Sequence, residues 1–220
     1  MRMWYWRDGW FKSLAQVASQ AADRGDMADY VTYLHLQEKG LRQQAFEAVT
    51  RFVGAALARP LTERISIVDW MLSVAEGAEA STVLIPHPLR SDLIEPTLAE
   101  WRLQSPTDPR PLRWSSDAAM WRRAIHLDRD EQIARRRLIA SLLGAVDYST
   151  HEVIGGTCYI GDPQSDMAAL DEVTMLIQGL SDDDDHRALL QREVSEYRTT
   201  IGNYLKQQKK NPNPAPEATR

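Results

Sequence analysis

Residues 186–205, HRALLQREVSEYRTTIGNYL, set the fold class. Leu190, Val194, Tyr197, Ile201 and Tyr204 return every three or four residues with polar side chains between them. That spacing lays one apolar stripe along an α-helix and does not fit the alternation of a half-buried strand. Moving upstream, Met167, Leu170, Val173, Ile177 and Leu180 form a second stripe, and Ala134, Leu138, Leu142 and Ala145 a third. The N-terminal half repeats the pattern. Trp10, Leu14, Val17 and Ala21 end at Gly25, and Tyr30, Tyr33 and Leu34 close near Gly40. Leu41, Ala45, Val49, Phe52 and Ala56 run to Pro60, and Ile65, Val68, Leu72 and Ala75 run to Gly77. Glycine and proline are the expected punctuation of such helices. The short connections make neighbours antiparallel, so the expectation is an all-α fold of about eight or nine helices, paired in a bundle or short solenoid.

Two segments break the rhythm. Residues 86–121 hold six of the eleven prolines and three of the seven tryptophans. Proline removes a backbone donor and fixes φ, so 86–114 is expected to be an extended, proline-stiffened connection. It would divide a single domain, 1–205, into halves 1–85 and 115–205. The second break is DYSTHEVIGGTCYIGDP, residues 147–163. It reads as an irregular loop or a small hairpin in which Val153-Ile154 and Cys158-Tyr159-Ile160 flank Gly155-Gly156. The tail 206–220 is rich in charge, Pro and Asn and is expected to be disordered.

A chain of 220 residues with 43% hydrophobic and 26% charged side chains can bury a core without a disulfide or metal staple. The lone Cys158 can form no internal disulfide, which fits a reducing compartment. MRMWYWRDGWFK lacks the apolar core of a signal peptide, and no apolar run is long enough for a membrane span. The expected location is therefore cytoplasmic. A formal net charge of −5 argues against bulk electrostatic binding of nucleic acid. Arginine rather than lysine supplies most of the positive charge, a bias expected of a GC-rich bacterial genome.

Ala124-Ile125-His126-Leu127-Asp128-Arg129-Asp130, followed by Ala134 and Leu138, resembles the turn between repeats in tetratricopeptide proteins. Gly40, Ala45, Ala56 and Pro60 echo it more loosely; Arg129 stands where that family usually has proline. The resemblance implies stacked helix pairs that present a binding surface.

Three groups of residues are candidates for chemistry. Trp101, Arg110, Arg113, Trp114 and Trp121 combine the two residue types most enriched at interface hot spots and form the expected partner-binding surface. The same arginines, with Arg122, Arg123, Arg129 and Arg135–Arg137, are the candidate nucleic-acid surface, although 135–137 spread around a helix. His151 with Asp147 and Asp162 is the candidate acid/base or metal group, with Glu152, Cys158 and His87 as further ligands. No known metal spacing accompanies them, so no metal and no cofactor is expected. Asp182–Asp185 is an alternative acidic docking face; after Ser181 it reads first as a helix start. The leading expectation is a non-catalytic helical interaction protein, bacterial, of the kind that neutralises a toxin. The alternatives are a His-centred metal-assisted hydrolase and a nucleic-acid-binding regulator.

Overall fold

The apolar stripes become helices at the places their spacing sets. In the computed structural model, which describes residues 8–76, 78, 80–154, 159–181 and 184–210, helix α1 spans Asp8–Ala22, α2 Ala28–Glu38, α3 Arg42–Leu57 and α4 Leu61–Ala75. Leu14, Val17 and Ala21 of the first stripe are buried, as are Tyr30, Tyr33 and Leu34 of the second. Trp4, Trp6, Gly77, Gly155, Gly156, Cys158, Asp182, Asp183 and 211–220 lie outside the described residues, as does the side chain of Trp10. The turn after α2 shows how a single glycine stops a helix. Gly40 takes φ +71, its N–H donates to Gln37 O (3.0 Å), and the Leu41 N–H donates to Leu36 O (2.9 Å). These are the two bonds of a Schellman motif, and only glycine enters that backbone region without cost.

The proline-rich segment departs from expectation. Most of it is helix: α6 at His87–Leu89, a π-helical turn at Arg90–Ile94 and α7 at Glu95–Gln104 follow one another without a break, after the short α5 at Ser81–Leu84. The prolines sit where helices tolerate them. Pro86 precedes α6, Pro88 lies in its first turn, and Pro96 lies in the first turn of α7. Pro96 has no N–H to return to residue 92, and its ring would crowd that carbonyl. The π turn relieves this, because the Glu95 N–H reaches back five residues to Arg90 O. Leu89, Leu93, Ile94, Leu98 and Trp101 are thereby buried, against α3 and α4.

The chain divides into two compact units, 1–111 and 112–220, within the short helix α8 (Arg110–Arg113). The boundary therefore falls near the end of the expected connection, which belongs to the first unit. In that unit α2 packs on both α1 and α3, the expected sequential pairing. Tyr30 stacks on Tyr33 and meets Phe52 at 5.6 Å. The Tyr30 hydroxyl donates to Leu84 O (2.9 Å) and that of Tyr33 to Val83 O, which satisfies carbonyls at the end of α5. Trp70 is half-buried, and the Arg24 guanidinium lies 5.3 Å from its ring centre.

The second unit contains α9 (Ala118–Leu127), α10 (Gln132–Ile154), α11 (Pro163–Gln178) and α12 (Asp184–Lys210). The Asp128 turn expected from the sequence joins α9 to α10, and α12 begins in the acidic run. Its core is Ala134, Leu138, Ile139, Val146, Leu170, Val173, Ile177, Leu180 and Ile201, with Trp121 at its edge. Residues 147–154, expected as loop, instead extend α10 by two turns. The hydroxyls of Ser149 and Thr150 donate to Ala145 O and Val146 O, four residues back, so these polar residues bond within the helix. Val153 and Ile154 are helical and cannot be one arm of a hairpin, and no strand occurs among the described residues. Likewise 206–210, expected in the disordered tail, continue α12, with Gln208 donating to the Tyr204 hydroxyl at 2.7 Å. No helix of the described residues is long and apolar enough to cross a membrane.

Candidate binding groove

The tryptophan rings offered as partner anchors are buried. Trp101, in the first unit, is 1% exposed, and its indole N–H donates to Asp108 (3.0 Å). Arg110 closes over it with its guanidinium 5.0 Å from the ring centre and 2.7 Å from the same carboxylate. Burial alone would raise the Asp108 pKa; the Arg110 hydrogen bonds and charge, together with the Trp101 donor, outweigh it and hold the carboxyl below its ordinary range. In the second unit Trp114 and Trp121 are 7% and 9% exposed. Arg113 and Arg137 both lie within about 5 Å of the Trp114 ring centre. The Trp121 indole donates to Ser115 O, beside Asp117, which caps α9 by accepting from the Ala119 N–H. These five residues clamp irregular backbone onto two separate cores and present no exposed aromatic patch.

The central arginines are engaged in the same way. Arg122 grips Glu172 with two bonds of 2.7 and 2.8 Å, and Arg113 pairs with the buried Glu131. Arg135 is buried and donates to Leu176 O, in the last turn of α11, and to Arg129 O, in the turn between α9 and α10. Gly179 packs so tightly on it that a Cβ there would lie 2.4 Å from the guanidinium. Arg135, Arg136 and Arg137 thus point three ways and form no single basic face.

The residues of the hydrolase reading each have a local partner. His151, near the end of α10, donates to Tyr148 O (2.6 Å) and lies 3.1 Å from Glu152. Asp162 caps α11, accepting from the N–H groups of Gln164 and Ser165 and from the Ser165 hydroxyl. Asp147 accepts from the Tyr197 hydroxyl (3.0 Å). His87 belongs to the first unit, at the start of α6. Among the described residues no three His, Cys, Asp or Glu side chains gather as a metal site.

What the structure adds is a groove of about 610 Å³ in the second unit, between α10 and α12. Gln132 donates to Gly179 O and accepts from the Ser181 N–H, so α12 starts beside the first turn of α10; Tyr197 then meets Asp147 eleven residues beyond Arg136. The two helices therefore run parallel, with α11 antiparallel to them and packed against both. Arg136, Ile139, Ala140, Leu143, Gly144 and Asp147 line one wall at helical spacing. His186, Leu190, Glu193 and Tyr197 line the other, with Leu180 at the end where α12 starts. Eleven residues at the helical rise make the trough about 16 Å long. The space exists because Ala140 and Gly144 face the gap; a Cβ on Gly144 would meet nothing within 4 Å.

Comparison with protein-family models, curated proteins and solved structures finds no match. The groove's chemistry is therefore read from its own side chains. Its floor is aliphatic, and its polar groups are graded along its length. Arg136 and His186 stand where the two helices begin; Asp147, Glu193 and Tyr197 stand toward the other end. Burial and the bond to Asp147, with Glu193 adding negative charge, push the Tyr197 hydroxyl up to about 12. A raised folded-state value means that the protonated phenol stabilises the fold. That contribution is complete below about pH 10, the ordinary tyrosine value, and is lost as pH rises through about 12. Absorbance titration should show one tyrosine returning toward its ordinary range in Asp147→Asn; an unchanged profile would remove the Asp147 contact from the account.

Proposed function

We propose that this protein is a non-catalytic interaction protein whose second unit takes an apolar-anchored segment of another protein into the groove between α10 and α12. The observation that carries this reading is the groove itself: an aliphatic floor about 16 Å long, bordered by the polar groups of Arg136, Asp147, His186, Glu193 and Tyr197. Withdrawal of the partner's apolar anchors from water would supply most of the affinity, because Ile139, Leu143 and Leu180 are already buried, and the polar rim would supply register and specificity. The likeness of the 124–138 turn to tetratricopeptide proteins agrees with a binding role. The partners found for His151, Asp147 and Asp162 give the hydrolase reading no support, and the internal use of the arginines gives none to nucleic-acid binding. The setting we attach is the cytoplasm of a bacterial cell, with neutralisation of a toxin as the specific role; the single cysteine and the absence of a spanning helix among the described residues are compatible with it.

Immobilised wild-type chain and Gly144→Trp, incubated with extract of the source cells, test the reading. A captured protein is then purified and titrated into each form by calorimetry. The expected result is binding at least about tenfold weaker for Gly144→Trp, with a negative heat-capacity change for the wild type and unchanged circular dichroism for both. Equal affinity for the two forms would move the function away from this groove.

A further inference from the structure

Thr32, Thr50, Thr150, Thr174, Thr199 and Thr200 each donate the side-chain hydroxyl to the helix carbonyl four residues back. Thr97 in α7 is fully buried and does not. The carbonyl four back from it is Leu93 O, inside the π turn, where the wider coil carries it off the α-helical line. The Thr97 hydroxyl is left without a hydrogen-bond partner among the described residues. One turn further along the same face of α7, Glu100 accepts from the Arg64 guanidinium of α4 at 2.7 Å. The Nε of that guanidinium is buried too, and it also lacks a partner among the described residues. An unpaired hydroxyl on α7 and an unpaired donor on α4 therefore belong to one helix–helix contact.

We infer that a single water molecule binds between α4 and α7, accepting from the Arg64 Nε–H and donating to the Thr97 hydroxyl oxygen. Either group buried alone is destabilising, and one bridging ligand satisfies both. Charge restricts what that ligand is. The Glu100 carboxylate beside it opposes an anion, and the Arg64 guanidinium opposes a cation, so the ligand is neutral. It must also accept from nitrogen and donate to oxygen. Side chains one turn apart on a helix stand about 5–6 Å apart at Cβ. One water spans that distance with two bonds of about 2.7–3.0 Å, and an organic ligand overfills it. Glu100 takes one bond from Arg64 and one from Gln104, which leaves lone pairs for the second water proton. Three partners are the usual number for a buried water. The water ties α7 to α4 one turn before Trp101, so it supports the Trp101 clamp of the first unit and is independent of the groove.

A high-resolution crystal structure of the full chain tests the site directly. The expected result is density for one water within about 3.2 Å of both Arg64 Nε and Thr97 Oγ1. A direct bond between the two residues, or no water shared by both atoms, would overturn the inference. Thermal unfolding followed by circular dichroism gives an independent reading. Thr97→Val keeps the shape of the side chain and removes the hydroxyl, so loss of the bridge should lower the midpoint by about 2–8 °C. An unchanged or raised midpoint, the result for a hydroxyl buried without a partner, would count against the water. Arg64→Lys keeps a cation for Glu100 but has no Nε–H. In that background Thr97→Val should lower the midpoint by less than half as much, because the bridge is already broken. Equal falls in the two backgrounds would separate the residues and overturn the bridge. If Arg64→Lys does not fold, the crystal structure and Thr97→Val decide.

Discussion

Replacing Trp101 by alanine is expected to destabilise the first unit by about 3–5 kcal/mol, the range for deleting a large aromatic side chain from a packed core. The ring is 1% exposed at the end of α7. Its loss leaves a cavity and takes the indole donor from Asp108, with the surface on which Arg110 rests. Trp101→Phe separates the terms. It keeps most of the apolar contact but no donor, and Asp108 keeps its bonds from Arg110, so the cost should be near the ~0.5–1.5 kcal/mol of one lost hydrogen bond plus imperfect packing. Denaturant unfolding followed by circular dichroism reads both variants. A loss below about 1 kcal/mol for Trp101→Ala, within the scatter of surface substitutions, would show that the ring is not the anchor described. The Asp108 site adds an acid signature. Because its folded pKa is lowered, its stabilisation is present above the ordinary carboxylate range and disappears as pH falls through the lowered value. Arg110→Ala should move that loss to higher pH.

The helices were legible because their apolar residues follow one period: Leu138, Val173 and Ile201 were placed on stripes and are buried in one core. The segment 86–104 was misread for a definite reason. Composition counts prolines, whereas a helix responds to their position: Pro88 occupies a first-turn site that lacks an intrahelical N–H bond in any case, and the π turn before Pro96 accommodates its missing donor. The misreading at 147–154 has the same character. Asp, Ser and Thr favour loops on average, yet at Ser149 and Thr150 the hydroxyl finds a carbonyl four residues back.

Trp114 and Trp121, offered by the sequence as interface residues, are buried. Trp with Arg is a pairing that serves interfaces and cores alike, and only burial distinguishes the two. The groove was not legible at all, because its walls come from residues about fifty apart in the chain, such as Asp147 and Tyr197, and no local pattern couples them. One signal did exist. Arg136, Ala140, Gly144 and Asp147 share a helical face with Ile139 and Leu143, and small residues at its centre mark a place where something can approach closely. The stripe reading gave weight to large apolar residues and passed over the small ones, although a trough is made by the side chains that fail to fill it.

Replacing Glu131 by alanine should cost the second unit about 3 kcal/mol, because one buried carboxylate serves two structures at once. It is 5% exposed. One oxygen accepts from the N–H groups of Ile133 and Ala134 in the first turn of α10, at 3.0 and 3.4 Å. The other accepts from Arg113 at 3.3 Å, and Arg113 in turn lies over Trp114. Alanine uncaps the helix and leaves Arg113 without this anion in a half-buried position. Glu131→Gln keeps a capping oxygen but no charge and should cost about half as much, near ~1–2 kcal/mol. In a double-mutant cycle, Arg113→Ala should recover part of the Glu131→Ala penalty, with a coupling of about 1–3 kcal/mol. Zero coupling would detach the ion pair from the cap.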